Sequence, residues 1–204
     1  EIMNAEEEDY GEAGELSGDI EFKDVSFEYE EGKPILRNIS FKVPQGSTLG
    51  VIGGTGSGKS TLMYLLDRLY PASGGVITIG GRNIEDISPA TLRSNIGFVL
   101  QEGYLFSGTI AENIGVTEEQ LRMDEVVHAA SAACVDENVR AFASGYDTVV
   151  GERGVTLSGG QKQRVSIART LLRKTPYIIF DDSLSAVDSD TDAAIRARLA
   201  KEFG

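Results

Sequence analysis

The chain has 204 residues, of which 41% are hydrophobic, enough for one compact domain with a sizeable core. Its single cysteine, Cys134, excludes an internal disulfide framework and is expected to be buried, and no apolar run approaches the roughly 20 residues that cross a bilayer. The net charge of −13 argues against binding to nucleic acid, which requires clustered Lys and Arg side chains.

The first nineteen residues carry much of this charge. Residues 1–19 contain eight acidic side chains, several glycines and no basic side chain. A segment of this composition buries little apolar area, so we expect residues 1–19 to form a solvated linker and residues 20–204 to form the domain. The first residue is Glu1 rather than Met, which favours a fragment of a longer protein.

Hydrophobic periodicity predicts a strand–loop–helix unit in the first half of the chain. Apolar residues recur with a period near two over residues 20–29 and 35–43, which predicts two strands. The apolar run at residues 48–52 predicts a third strand, which leads directly into a glycine-rich loop. Leucines at helical spacing then predict a helix over residues 60–70.

The rest of the chain alternates between strand and helix patterns. Short apolar runs predict strands at residues 76–79, 96–100 and 177–180, the last with the composition of a central parallel strand. Between these runs the pattern is mostly helical, and we interpret residues 102–160 as a helical insert. Helices are predicted to begin at Ser88-Pro89 and to cover residues 118–121, 126–134, 139–143, 161–172 and 192–200.

The glycine-rich loop at residues 53–61 reads Gly-Gly-Thr-Gly-Ser-Gly-Lys-Ser-Thr and matches the pattern Gly-x-x-x-x-Gly-Lys-Ser/Thr. Its glycines let backbone N–H groups turn inward around a triphosphate, and the following helix adds its dipole. We expect Lys59 to bridge the β and γ phosphates and Ser60 to bind Mg²⁺; the bland alternative is a surface turn with an exposed lysine. The expected nucleotide contacts here are Gly54, Thr55, Gly56, Ser57, Gly58, Lys59, Ser60 and Thr61.

Two acidic residues, Asp181 and Asp182, directly follow the apolar run at residues 177–180. A carboxylate at the tip of a buried strand can hold Mg²⁺, and we assign this role to Asp181. Acidic residues in tandem after four apolar residues are costly unless a cation or a helix start stabilises them. The alternative is therefore a helix cap that follows the strand.

A second anion site is predicted at residues 157–161, which read Leu-Ser-Gly-Gly-Gln. Ser158 can cap the helix that contains Gln161, while the N–H groups of Gly159 and Gly160 bind an anion. One domain would then have two anion sites. Either each domain binds two nucleotides, or one ATP is shared between two domains that face each other head to tail, which is the more economical arrangement.

In this order, the motifs resemble the nucleotide-binding domain of an ATP-binding cassette (ABC) transporter, over nearly the whole chain past residue 19. The resemblance implies an α/β fold, with a P-loop NTPase (RecA-like) core, an antiparallel β subdomain and a helical subdomain specific to the family. It implies ATP and Mg²⁺ as cofactors. The matching stretches are residues 53–61 (Walker A), Gln101 (Q-loop), 157–161 (signature), 177–182 (Walker B) and Ser185, Ala186, Val187 and Asp188 (D-loop).

The resemblance also implies roles for individual side chains. Tyr29 matches the aromatic residue that stacks on adenine, although a strand-end tyrosine is the plain alternative. Gln101 matches the residue that touches Mg²⁺ and links the site to the membrane domain, against the alternative of an exposed amide. Residues 105–114 and 150–154 resemble the exporter branch, in which Glu152 and Arg153 would face helices of the transmembrane partner rather than form a solvated pair.

The chain departs from the family at the catalytic position, where Asp182 replaces the usual Glu. The side chain is one methylene shorter, and a misplacement of about 1 Å can lower a rate by a factor on the order of 10². We therefore predict that the site built on Lys59 binds ATP and hydrolyses it slowly. The family's switch histidine would lie beyond the last residue, and the one histidine present, His128, is expected to be structural.

The sequence therefore predicts the ATP-binding and ATP-hydrolysing motor domain of an ABC exporter, at the cytoplasmic face of a cell membrane. Its expected partners are the transmembrane domains and a second nucleotide-binding domain. An intact Ser158 beside a weakened Asp182 resembles one half of an asymmetric exporter, so this second domain is expected to be a different chain. The alternative is a regulatory, essentially non-hydrolytic module that dimerises when it binds ATP.

Overall fold

The computed structural model describes residues 14–151, 155–182 and 187–203. The chain divides into two compact units, Glu1–Ile96 and Gly97–Gly204. The side chains expected to face a transmembrane partner, Glu152 and Arg153, lie outside the described residues. The same holds for Ser185 and Ala186 of the expected D-loop and for most of the expected linker.

A four-stranded sheet forms the framework of the first unit, in the order β2-β1-β3-β4 with antiparallel neighbours. On the buried side, Phe22 stacks on Phe41 with ring centroids 4.5 Å apart. The strands predicted at residues 20–29, 35–43 and 76–79 are confirmed. The strands are β1 (Ile20–Glu28), β2 (Pro34–Val43), β3 (Gly74–Ile79) and β4 (Arg82–Asn83).

Two α-helices complete the first unit, α1 (Lys59–Leu66) and α2 (Pro89–Asn95), with a 3-10 turn at Ile84–Asp86. Helix α1 ends four residues earlier than predicted, because Arg68 has a left-handed φ of 52°. Helix α2 begins as predicted, with the Ser88 side chain accepting a hydrogen bond from the Thr91 N–H.

The strand predicted at residues 48–52 is absent from the structure, although these residues are described. Leu49 and Val51 are about half exposed, and Ile52 is almost fully exposed. A strand forms only when a neighbouring strand satisfies its backbone groups, and an apolar run does not reveal whether such a neighbour exists. The prediction was therefore wrong for this segment.

The end of the expected linker packs onto the first unit. Leu16 is only 2% exposed, and its N–H donates to the side-chain oxygen of Asn95, whose amide group donates to the Gly14 carbonyl. Asp19 accepts a hydrogen bond from the Gln45 N–H. The expectation of a solvated segment is thus wrong at Leu16, whereas Glu15 and Ser17 are exposed. One leucine and a few hydrogen bonds to the backbone are enough to anchor this acidic stretch.

The second unit is mainly helical and contains two short strand pairs, β5 with β8 and β6 with β7. Its core includes Ile110, Ile114, Val126, Val165 and Ile167, all fully buried. The strands are β5 (Ile96–Val99), β6 (Gly108–Thr109), β7 (Val149–Val150) and β8 (Tyr177–Phe180). The helices are α3 (Ile110–Ile114), α4 (Met123–Ala132), α5 (Asp136–Arg140), α6 (Gly159–Leu172) and α7 (Ser189–Phe203), with a 3-10 turn at Gly145–Asp147.

The predicted helices of this unit are present except one, although α4 and α7, like α5, begin three residues earlier than predicted. Residues 118–121 form no helix, because four residues give too few hydrogen bonds to offset the cost of helix nucleation. Helix α5 begins three residues before the predicted start, since Asp136 and Glu137 favour the first turn. Cys134 is half-buried rather than buried.

The side chain of His128, on helix α4, is exposed.

None of the helices in the described part of the chain combines the length and hydropathy that crossing a bilayer requires.

Candidate functional site

In the glycine loop of the first unit, the side chain of Lys59 folds back onto backbone carbonyl groups of the loop. Lys59 Nζ donates to the carbonyl oxygens of Gly53 and Gly54, at 2.7 and 2.9 Å. Gly58 precedes α1 with a φ of 90°, and a Cβ atom there would lie 2.7 Å from Leu36 Cδ2. Only glycine fits this position, and without a side chain it cannot cap the helix. The loop therefore presents a helix N-terminus and an ammonium group at one place.

The glycine loop is open on the side of Gly54 and Gly56. A Cβ atom built on Gly54 or Gly56 would meet nothing within 4 Å, so the loop backbone is open on that side. Backbone N–H groups at an open loop and at a helix N-terminus are suited to an anion. Of the predicted contacts, Gly54, Gly56 and Gly58 thus share one loop, and Lys59 and Ser60 lie in the first turn of α1.

The structure also brings Tyr29 to this end of α1. The Tyr29 hydroxyl lies 3.2 Å from Oγ1 of Thr61, which is buried in α1. Tyr29 is 49% exposed, and its ring lies nearly perpendicular to the rings of Phe27 and Tyr70, with centroids 4.7 and 5.2 Å away. A half-exposed aromatic ring that these contacts and its hydroxyl hold in place can stack on a flat base.

In the second unit, the ends of β5 and β8 bring together three predicted site residues. The Asp181 N–H donates to the Val99 carbonyl at 2.9 Å, and Gln101 Nε2 donates to Asp182 Oδ2 over a long 3.5 Å. Asp181 and Gln101 supply carboxylate and amide oxygens, the hard donors that Mg²⁺ prefers. The residues at this edge therefore fit a magnesium ion.

The backbone of Asp182 is in the left-handed region, with a φ of 47°. Among residues with side chains, Asp and Asn adopt this conformation most readily. The Asp182 side chain is exposed, so that its carboxylate stands at the surface of the second unit.

The predicted helix cap at Ser158 is confirmed. Ser158 Oγ accepts from the Gln161 N–H at 3.2 Å, and Gln161 Oε1 accepts from the Ser158 N–H at 2.9 Å, which forms a complete capping box. A Cβ atom at Gly159 would meet nothing within 4 Å, so the start of α6 is open to an approaching group.

The last residue of the expected D-loop caps another helix. Asp188 accepts hydrogen bonds from the Thr191 N–H at 2.9 Å and from the Thr191 hydroxyl at 2.8 Å, at the start of α7. These two bonds hold the pKa of Asp188 below its usual value, and the bond from the Thr191 N–H has the larger effect.

Sequence patterns did not assign a function to two residues next to Gln101, namely Gln163 and Gly103. Gln163 is 1% exposed and donates from Nε2 to the Leu100 carbonyl at 2.9 Å. A signal for Gln163 was available, because it is a polar residue one helical turn before Ile167 on the buried face of α6. No comparable signal exists for Gly103, whose neighbours are distant in the sequence.

Comparison with known proteins identifies the family. A family model described as ABC transporter matches residues 36–185. The chain belongs to the ABC transporter family. This confirms the expected family, and with it the expected α/β fold of a P-loop NTPase.

Individual ABC proteins show the same similarity. The chain is 50% identical over 181 residues to the ABC transporter ATP-binding protein YfiB of Bacillus subtilis (strain 168), covering 88% of this chain and 32% of that protein. It is 48% identical over 185 residues to ATP-binding cassette sub-family B member 6 of Xenopus tropicalis, covering 91% of this chain and 22% of that protein.

A solved structure of a bacterial Atm1-family ABC exporter with ATP bound superimposes with a TM-score of 0.88 at 35% identity. The match covers 100% of this chain and 35% of that one. This chain therefore spans about a third or less of the length of these ABC proteins.

Proposed function

We propose that this chain is the ATP-binding and ATP-hydrolysing motor domain of an ABC exporter. The observation that carries the proposal is the open glycine loop, which places the Lys59 ammonium group at the N-terminus of α1. Its similarity to a sub-family B protein and to an Atm1-family exporter supports the exporter type.

In this proposal, each part of the site acts on a different part of the nucleotide. Lys59 and the loop N–H groups bind the phosphates, and the exposed ring of Tyr29 stacks on adenine. We assign Ser60 of the first unit, and Gln101 and Asp181 of the second unit, as ligands for Mg²⁺, which neutralises phosphate charge when it is bound.

The capped start of α6 gives the domain its second anion site. We assign Ser158, Gly159, Gly160 and Gln161 to the γ-phosphate of an ATP held on the Walker A loop of a facing domain. A serine hydroxyl that accepts a hydrogen bond from the Gln161 N–H still has its own proton to donate to a phosphate. ATP then joins two domains, and its hydrolysis releases them.

We propose that Asp182 makes the site on this chain slow. A general base must lie within roughly 2.6 to 3.2 Å of its water molecule, and the aspartate side chain reaches one methylene less far than glutamate.

The remaining partners follow from the exporter proposal. Transmembrane domains, fused or associated, would carry the cargo, and the motor domain would lie at the cytoplasmic face of the cell membrane. The second nucleotide-binding domain would be a different chain with a competent Walker B glutamate. In that pair, the signature of this chain completes the faster site on its partner.

Nucleotide binding by the 204-residue chain tests the proposal. We expect Lys59→Ala to weaken MgATP binding by more than about tenfold, since it removes the cation that contacts two phosphates. The matched control is Lys33→Ala, because Lys33 is exposed in the same unit and pairs with Glu30 at the surface. Equal MgATP affinities of the Lys59→Ala variant and the wild type in a calorimetric titration would contradict the proposed site.

The alternative is a regulatory module that dimerises on ATP and hardly hydrolyses it. The observation that favours it is Asp182 itself, since a poorly placed base is compatible with binding without turnover. Steady-state hydrolysis separates the two functions. A motor domain shows slow turnover that a partner with an intact glutamate accelerates, whereas a regulatory module shows none in either case.

A further inference from the structure

The segment around Gln101 rests on a single turn of α6 at two points. On one side, the carbonyl of Leu100 accepts a hydrogen bond from the Gln163 side chain. On the other side, Gly103 lies against the backbone of Lys162 and Gln163. The arch formed by residues 100–103, which carries Gln101, therefore has both of its ends on the first turns of the helix that Ser158 caps.

Gln163 is buried in a way that makes this contact specific. Its side chain is 1% exposed, and the 2.9 Å bond from Nε2 to the Leu100 carbonyl links residues 63 positions apart. In a dry environment an unpaired amide or carbonyl costs far more than it does in water. Leu100 itself is 55% exposed, so the cost of moving it away from α6 falls on the buried Gln163 amide, which would lose this acceptor. The bond therefore favours one position for the start of the arch.

The contact at Gly103 restricts the backbone at the other end of the arch. A Cβ atom there would lie 2.8 Å from the carbonyl group of Lys162 and 2.9 Å from the Gln163 nitrogen. These neighbours are helix backbone atoms, which cannot rotate away as a side chain could. Close approach to α6 at this point therefore requires glycine.

From these contacts we infer that Gln163 is a positioning residue for Gln101. It couples the start of the signature helix to the amide that contacts Asp182 and, in the proposed function on which this inference rests, Mg²⁺. A shift of α6 when Ser158 meets a facing nucleotide is transmitted through Gln163 and Leu100 to Gln101. The second anion site thereby controls the position of Gln101 on its own chain.

The test compares two substitutions that each remove one hydrogen bond between α6 and β5 or its end. Gln163→Met keeps the length of the side chain and removes the donor to Leu100. Thr170→Val is the matched control, because Thr170 is also buried on α6 and donates to the Phe98 carbonyl at 3.2 Å, two turns further along. Any loss of packing between α6 and β5 should affect both variants.

The first measurement is independent of hydrolysis. We expect amide hydrogen exchange of residues 100–104 to become faster in Gln163→Met and to remain at the wild-type rate in Thr170→Val. Equal acceleration in both variants, or none in Gln163→Met, would overturn the inference. Hydrogen exchange can be measured even if the chain shows no ATP hydrolysis. In that case the proposed function would be contradicted, while the inferred coupling between Gln163 and Gln101 could still be confirmed.

The second measurement uses steady-state hydrolysis and its dependence on Mg²⁺. For Gln163→Met we expect kcat to fall about fivefold or more and half-maximal Mg²⁺ to rise, with the KM for ATP unchanged. In a Gln101→Ala background the same substitution should have little additional effect, because both act through one amide. Additive effects of the two substitutions would mean that Gln163 has only a structural role.

Discussion

The backbone of Asp182 lies in the left-handed region, which Asp tolerates better than Glu does. Glutamate at this position would extend the carboxylate further from the backbone, but it is less suited to the left-handed conformation. We expect Asp182→Glu to raise kcat for ATP by a factor on the order of 10², since the carboxylate advances by about one methylene. The thermal stability should fall by the equivalent of about 1 kcal/mol or less. Steady-state hydrolysis and a thermal melt measure the two effects.

Asp182→Asn is the control for this prediction. Asn keeps the left-handed preference and an oxygen that can accept from Gln101, and it removes the base. Its turnover should be below that of the wild type, with unchanged stability. The prediction of a weakened site is wrong if the wild-type chain already hydrolyses ATP at the rate of the Asp182→Glu variant.

Individual residues were predictable where a short motif carries a local geometry. The Ser158 cap is an example, because its hydrogen bonds join residues three positions apart. The contact of Tyr29 with Thr61 joins residues 32 positions apart, and no local pattern specifies such a distance. The contact of Gln163 with Leu100 was equally unpredictable, because the helical period predicts that Gln163 lies on the buried face of α6 but not which carbonyl group it contacts.

Two helices of the second unit begin with a complete capping box, α3 at Thr109 and α6 at Ser158. This pair separates stability from function. We expect Thr109→Ala and Ser158→Ala each to cost about 1 kcal/mol of stability, because each removes the acceptor for an N–H group in the first helical turn. Only Ser158→Ala should weaken the ATP-dependent dimer, as only this hydroxyl faces a nucleotide in the proposed function.

Denaturant unfolding and sedimentation of the two variants with MgATP measure these effects. Equal losses of dimer in Thr109→Ala and Ser158→Ala would show that stability alone explains the change. An undiminished dimer in Ser158→Ala would contradict the role proposed for the signature.

Whole elements were predictable where their pattern is strong and their partners are close in sequence. The strands β1 and β2 alternate and pair with each other, so the pattern and the short connection were sufficient. The run at residues 48–52 has equal apolarity, but strand formation depends on a neighbour that the sequence does not name. The end of α1 depends on the left-handed φ of Arg68, a residue type without a preference for that conformation.

At the scale of the whole molecule, net charge affects how tightly two copies of this chain associate. Each copy has a net charge of −13, so two copies repel at long range. Because the Asp182 sites hydrolyse slowly in the proposed function, a self-paired ATP dimer should persist long enough to be measured. At saturating MgATP, we expect the dimer to tighten several-fold when NaCl rises from about 0.05 to about 0.3 M, since the screening length falls below about 10 Å.

A truncated chain that begins at Gly14 is the control for this prediction. It lacks six acidic side chains and keeps the Leu16 contact with Asn95, so its fold should be preserved while its repulsion is reduced. Its dimer should be tighter at low salt and respond less to added NaCl. Sedimentation velocity at several salt concentrations measures both chains. A dimer that weakens with salt in both would show that attraction between charged groups at the interface outweighs the net repulsion, because screening acts on whichever of the two is larger.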